Sequence, residues 1–299
     1  MTQRIHKVLI RECPFPLDNP DLISVNAART SFSRHTKELR EVDESLLSRL
    51  IEHDHINVFF HAWKALKLKA APSFADEYEA AGFHWSPEDS ILTCSLKALP
   101  QVFSGKAVVG LAKKAQPHQI NILKLIKEVV TLPVSHRCYR HHYFLTLPFW
   151  MARQWQTHKI GFSRSEISRR YYDDLVTFFQ VDSWRAYPEK KRQGHAGPLS
   201  EDKQSSISRY FNALMYANVD AYTELLGDGV CPEQARMVLP MNTMTTIMET
   251  ASNEALSRAL DLRLDNHAQE EIRVCLAQEL LKFLPVDPRT TCDWKERLR

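Results

Sequence analysis

Residues 153–171 read RQWQTHKIGFSRSEISRRY and place four arginines, four serines or threonines, Gln154, His158, Lys159, Glu166 and Tyr171 within nineteen positions. Almost nothing apolar follows Ile167. One account is a solvated helix in which Glu166 pairs with Arg169 and Arg170 at i+3 and i+4, each pair contributing about 0.2–0.5 kcal/mol. The other is a ligand site, with guanidinium groups forked onto phosphate and serine hydroxyls and Glu166 meeting ribose and base edges. His158 and Lys159 then face a second anion.

The rest of the chain narrows the setting. At 299 residues it can bury a sizeable core without disulfides, and 44% hydrophobic with 25% charged residues is ordinary for a globular protein. The N-terminal apolar run is too short for a secretory signal, and no run approaches the length of a membrane span. A cytoplasmic protein is expected. The six cysteines are scattered without a CxxC pair, which argues for reduced thiols and against zinc-ribbon or thioredoxin chemistry. A formal charge of +3 lacks the basic excess of a duplex nucleic-acid binder but permits a small anionic substrate. With 8 glycines and neither GxGxxG nor GxxxxGK, any phosphate must be held by arginine, serine and helix ends.

Periodicity predicts a strand over 5–12, then a helix capped by Asp43 with Leu46, Leu47, Leu50 and Ile51 on one stripe. The segment 61–71, HAWKALKLKAA, reads as a half-exposed strand ended by Pro72. Residues 73–140 read as an insertion containing a strand near 91–96 and an amphipathic helix near 119–130. A strand over 143–147 leads through Pro148 into a helix with Trp150 and Trp155. A long helix over 200–226 ends at Gly227 and Gly229, and two more are expected over 253–264 and 266–283. Without regular βαβ alternation, the chain is expected to be one α+β domain over 1–299, with a mixed or antiparallel sheet and the insertion within it.

Four ordered blocks resemble the flavin-dependent thymidylate synthases. The stretch above is similar to that family's Arg-His-Arg triplet followed by S.NE.S.RY. HINVFFH at 55–61 resembles HxxPFEH, QARMVLPMN at 234–242 resembles QAR..LP.N, and LRLDNHAQEEI at 262–272 resembles LR...HAQ.EI. The resemblance implies transfer of a carbon from methylenetetrahydrofolate to C5 of dUMP, with hydride from a reduced flavin, FAD, completing the methyl of dTMP. It further implies NADPH as reductant and a homotetramer with sites shared between subunits. Position by position it puts Gln154, Glu166, Ser168, Arg169, Arg170 and Arg236 around the nucleotide, with Arg170 and Arg236 on phosphate. Arg263 is the catalytic candidate, a fixed cation that polarises the uracil ring. His61, His158, Lys159, Asn253, Arg258 and His267 fall on the cofactor side, and no metal is implied.

The departures from that pattern also concentrate on the cofactor side. Thr157 and Lys159 stand for the two arginines of the triplet, and Ser165 stands for an asparagine. Phe60 replaces the glutamate of the first block. Glu254 stands where a cation is expected, with Arg258 one turn later able to restore the charge. Two other readings therefore stand beside the leading one: a relative in which water rather than hydride completes the reaction, giving a hydroxymethyl product, and an inactive nucleotide- or nucleic-acid-binding relative. Cys138, within HRCYRHH at 136–142, is the rival candidate for a nucleophile or metal site. The insertion is open to three roles: a lid, a partner surface or a source of pocket residues.

Overall fold

The computed structural model describes residues 3–72, 82–105, 111, 122–171, 175–188 and 194–292. Side chains alternate across a strand with period two, and that alternation divides the interior. In strand β7 (Arg140–Pro148), Phe144 enters one core while Tyr143, Leu145 and Leu147 enter another. In strand β10 (Met244–Ser252), Met248 joins the first core and Ile247 and Ala251 the second. These two strands form the middle of a four-stranded antiparallel sheet, flanked by β2 (Leu9–Glu12) beside β7 and β8 (Phe162–Glu166) beside β10. Tyr143 stands opposite Glu249, and Glu249 opposite Arg164.

The first core is closed by α1 (Pro20–Arg29), α2 (Glu41–Glu52) and a second antiparallel sheet. Helix α1 starts where the Asn19 side chain accepts from the amides of Asp21 and Leu22. Helix α2 starts one turn earlier than the expected Asp43 cap. Arg40 is the N-cap, and Asp43, at the third helical position, accepts from the Arg40 amide at 2.9 Å. The second sheet runs in the order β4 (Phe83–Ser86), β5 (Ile91–Ser95), β3 (Trp63–Leu68), β6 (Ile126–Val130). The stretch 73–140 thus supplies three strands to β3. Gly82 enters this sheet at φ +94°, where a Cβ would lie 2.4 Å from Ser95 Oγ and 2.8 Å from Phe60.

The expected helix over 119–130 is corrected at its C-terminal half. Residues 126–130 pair with β3, and the β-branched Ile126, Val129 and Val130 suit an edge strand better than a helix. Residues 119–121 lie outside the described residues.

The second core packs α3 (Phe149–Trp155), α5 (Asn253–Leu264) and α6 (Gln278–Phe283) on the other face of the central sheet. Helix α6 is entered through a π-helical stretch, Ile272–Ala277. The helix expected over 266–283 therefore begins later, after a turn in which Asp265 Oδ1 accepts the His267 amide at 2.8 Å. The long helix α4 spans Glu201–Gly227, as the apolar spacing predicts. The strand expected over 5–12 is broken in two: β1 (Gln3–Ile5) pairs in parallel with β9 (Thr177–Phe179), and β2 joins the central sheet. The fold is α+β with mixed pairing. No helix among the described residues is long and apolar enough to cross a membrane.

Candidate functional site

The stretch 153–171 is not one helix. It leaves α3, turns, runs along β8 and turns again at 167–171. Glu166 lies on β8 and accepts from Thr245 Oγ1 at 2.7 Å and Gln156 Nε2 at 3.3 Å, so the i+3 and i+4 helical pairing does not form. Beneath it Glu249 is fully buried. Its carboxylate accepts from Tyr143 Oη at 2.6 Å, from Trp155 Nε1 at 3.0 and 3.1 Å, and from Arg164 Nε. Burial and this carboxylate push the Tyr143 phenol well up. Arg164 Nη1 also donates to the His158 carbonyl at 2.6 Å, so one buried acid ties β7, β8, α3 and the following turn together.

That frame positions Arg263 of α5. Its Nε donates to His158 Nε2 at 2.9 Å, and its Nη2 donates to the Gln154 carbonyl at 2.9 Å and to Thr157 Oγ1 at 3.1 Å. Thr157, in place of an arginine, is thus an acceptor for one. Burial, then the charges of Arg263, Arg164 and Arg258, lower the His158 pKa to about 4. The ring is neutral at pH 7, and because Nε2 accepts, the proton sits on Nδ1. Gln154 Nε2 donates to Gln269 Oε1 at 2.9 Å.

Gln154, Arg263 and His267 line a cleft of about 560 Å³ that also draws in Arg185, His195 and Arg273. It shares Arg185, His195 and Gln269 with a neighbouring cleft of about 790 Å³ walled by Trp150, Phe179, Trp184 and Asn242. Arg185 is clamped by Glu270, 2.5 Å from Nη1, and by Glu271, and His195 Nε2 lies 2.7 Å from Glu270. Sequence reasoning missed Arg185 and His195, which lie in an aperiodic segment. Their only signal was the Glu270-Glu271 pair opposite.

The remaining nucleotide-side residues form a separate group. The Ser168 amide donates to the Ser31 carbonyl at 3.0 Å, and Ser168 Oγ accepts from Arg170 Nε at 3.3 Å. Arg170 Nη1 lies 3.3 Å from Glu233, and exposed Arg236 follows on the next turn, Arg236–Val238. Tyr171 stacks on Phe32 at 4.7 Å. Arg169 is 6% exposed. Glu166 and these arginines line none of the clefts described here.

On the expected cofactor side, Lys159 lines a third cleft, of about 290 Å³, with Asn57, Phe60, Trp63, Phe162 and Arg164. Arg258 Nη2 donates to the carbonyl of Ile160, in the wall of that cleft, at 2.8 Å. Three flat rings, a lysine and an asparagine fit an anionic, planar group such as a flavin. His267 is exposed and bonds Asp265 at 2.8 Å. His61 and Asn253 are fully buried. The His61 ring meets Thr250 Oγ1 at 2.9 Å and Ser165 Oγ at 3.2 Å, and burial, with His142 adding, lowers its pKa to about 3. The Asn253 amide donates to the carbonyls of Val134 and His136 at 2.6 and 2.8 Å, and its oxygen faces His141 Nε2 at 2.7 Å.

Glu254 is equally internal. His84 Nε2 lies 3.0 Å away and Arg137 Nη2 2.5 Å away. Burial alone would raise this carboxyl, but the hydrogen bonds and charges of His84 and Arg137 outweigh it and hold the group well below the usual carboxylate range. Both partners come from the stretch 73–140. Cys138 is buried in the same seam. Burial raises its thiol, but His84 and His136 outweigh that and bring it to about 6. Among the described residues no group of three His, Cys, Asp or Glu side chains is placed to hold a metal ion.

The family model described as thymidylate synthase complementing protein matches residues 112–289. Flavin-dependent thymidylate synthases resemble about half of the chain. The protein from Thermotoga neapolitana is 34% identical over 141 residues, 47% of this chain and 59% of its own. That from Thermosipho africanus is 33% identical over 141 residues, 47% and 60% of the two chains. That from Thermus thermophilus is 32% identical over 149 residues, 50% and 53%. The chain therefore spans little more than half the length of these relatives. Among solved structures, the UMP/dUMP methylase PolB from Streptomyces cacaoi, bound with 5-Br UMP, aligns with a TM-score of 0.50 at 18% identity. The alignment covers 96% of this chain and 95% of that one, a likeness of fold.

Proposed function

The chain belongs to the thymidylate synthase complementing protein family, and from that premise we propose that it moves a one-carbon unit from methylenetetrahydrofolate to C5 of dUMP, giving dTMP. The observation that carries this reading is the fixed guanidinium of Arg263 at the cleft edge, oriented by His158, Gln154 and Thr157. A cation already in place costs no reorganisation when negative charge builds on a pyrimidine ring, and so favours the charged, more nucleophilic form at C5. Neutral His158 serves this arrangement, since it accepts from Arg263 without adding a competing positive charge.

Lys159 and the ring walls of the third cleft would hold the flavin, with Arg258 bracing the loop behind them. Bound there, the FAD supplies the hydride that completes the methyl group, and NADPH is the reductant we assign to it. Gln154 and Arg263 line one cleft, while Ser168, Arg170 and Arg236 do not line it, and Arg170 instead pairs with Glu233. A nucleotide held by all five needs a second copy of the chain, which supports the homotetramer. Six unpaired thiols favour a cytoplasmic setting.

The test is incubation of the protein with dUMP, methylenetetrahydrofolate, FAD and NADPH, followed by mass spectrometry of the nucleotide. A gain of one methylene is the expected result. A gain of a methylene and an oxygen means water completes the reaction and overturns the redox half of the reading; an unchanged nucleotide overturns the whole.

A further inference from the structure

Each of the three rings that wall the cleft beside Lys159 carries a cation over its face. Lys97 Nζ lies 4.4 Å from the Phe60 centroid, the Arg140 guanidinium 3.6 Å from the Trp63 ring and the Arg164 guanidinium 4.4 Å from the Phe162 ring. Lys97 and Arg140 do not line the cleft, so two of the charges stand outside its surface. No aspartate or glutamate lines it.

The walls are also held in place. The Phe60 carbonyl accepts from Ser163 Oγ at 2.9 Å and from the Trp63 indole N–H, and Arg140 Nη1 donates to the Gly161 carbonyl at 2.9 Å. A cation on one face of an aromatic ring draws electron density toward itself and leaves the opposite face poorer in electrons. A planar ligand rich in electrons, or carrying negative charge, gains more from stacking on such walls than an electron-poor one does.

We infer that this cleft discriminates by redox state, holding the reduced flavin ring more tightly than the oxidised one, and that Lys97 is a residue that sets the preference. The inference rests on the flavin chemistry proposed above. It also assigns a role to part of the stretch 73–140, which contributes Lys97 over the Phe60 ring. The positive charge expected at position 254 is replaced there by an internally neutralised glutamate, and Lys97 and Arg140 instead stand over the Phe60 and Trp63 rings, while Arg164 is paired with Glu249. By linkage, tighter binding of the reduced form raises the potential of the bound flavin, a tenfold preference corresponding to about 30 mV for two electrons.

The experiment titrates the whole protein with oxidised FAD and with dithionite-reduced FAD, and measures the midpoint potential of the bound flavin, in the wild type, Lys97→Met and Lys97→Arg. The wild type is expected to prefer the reduced form by about tenfold, and Lys97→Met to reduce that preference about threefold, the scale of one cation–ring contact. Lys97→Arg should restore it, and thermal midpoints should stay together because Lys97 is only partly buried. Phe60→Leu, which keeps the charge and removes the ring, should also weaken the preference. Equal affinity for both redox states in the wild type, or an undiminished preference in Lys97→Met, overturns the inference and leaves the flavin reading standing. If FAD binds in neither state, both fall.

Discussion

Glu249 and Glu254 are both buried, the first inside strand β10 and the second just beyond its end, yet their charges are met from different parts of the chain. The partners of Glu249 are Tyr143, Trp155 and Arg164, all from the central sheet or the helix that leaves it. The partners of Glu254 are Arg137 and His84, from the stretch 73–140. His84 lies outside the residues matched by the family model. One acid is therefore neutralised by the frame of the fold. The other, standing where the resemblance expects a cation, is neutralised by residues of the stretch read as an insertion. A buried charge is tolerable wherever a geometrically good counter-charge reaches it, and the counter-charge here need not come from the same layer of the structure.

Removing each counter-charge separates the two cases. Arg164→Met leaves Glu249 buried without its cation and should destabilise the protein by about 3–5 kcal/mol in chemical denaturation. Arg137→Met should cost less, about 1–3 kcal/mol, because His84 remains beside Glu254. If the two losses were equal, the seam would be as integral to the fold as the central sheet.

The pH dependence sharpens the contrast. A carboxyl held below its unfolded value contributes stability that is fully present above the unfolded pKa and is lost as pH falls toward the folded one. The stability advantage of wild type over Glu254→Gln should thus hold at neutral pH and shrink below about pH 5. An advantage that grew on acidification would contradict the direction of the shift. The smallest effect on stability is expected for Arg263→Ala, within about 1 kcal/mol, because that side chain stands at the edge of a wet cleft. Turnover is a different matter and should fall about 100-fold or more, as for loss of a preorganised donor.

Long periodic elements were legible. The apolar spacing of α4 survives because burial on one face demands it, and the short apolar run of β7 survives because both of its faces are buried. The four motif blocks pointed to the family now matched over 112–289. Exposure was not legible. His61 sits in one of those blocks yet is fully buried, and a motif names a residue without saying which way its side chain is spent. Glu249, one acid in an apolar strand, reads on paper like any surface glutamate. The edge strand β6 was misread because its apolar residues fit two periods, and only the open edge of β3 decides between them. Arg185 became visible only through Glu270 and Glu271, 85 and 86 positions away.

One small contact bears on how such a chain could diverge. The Phe60 peptide carbonyl, rather than its side chain, holds the Trp63 indole and the Ser163 hydroxyl. Because every residue type offers that same acceptor, the anchoring survives whatever stands at position 60. The site is thus free to drift from an acid to a phenyl ring without losing its scaffold, so new surface chemistry can be trialled there at little architectural risk.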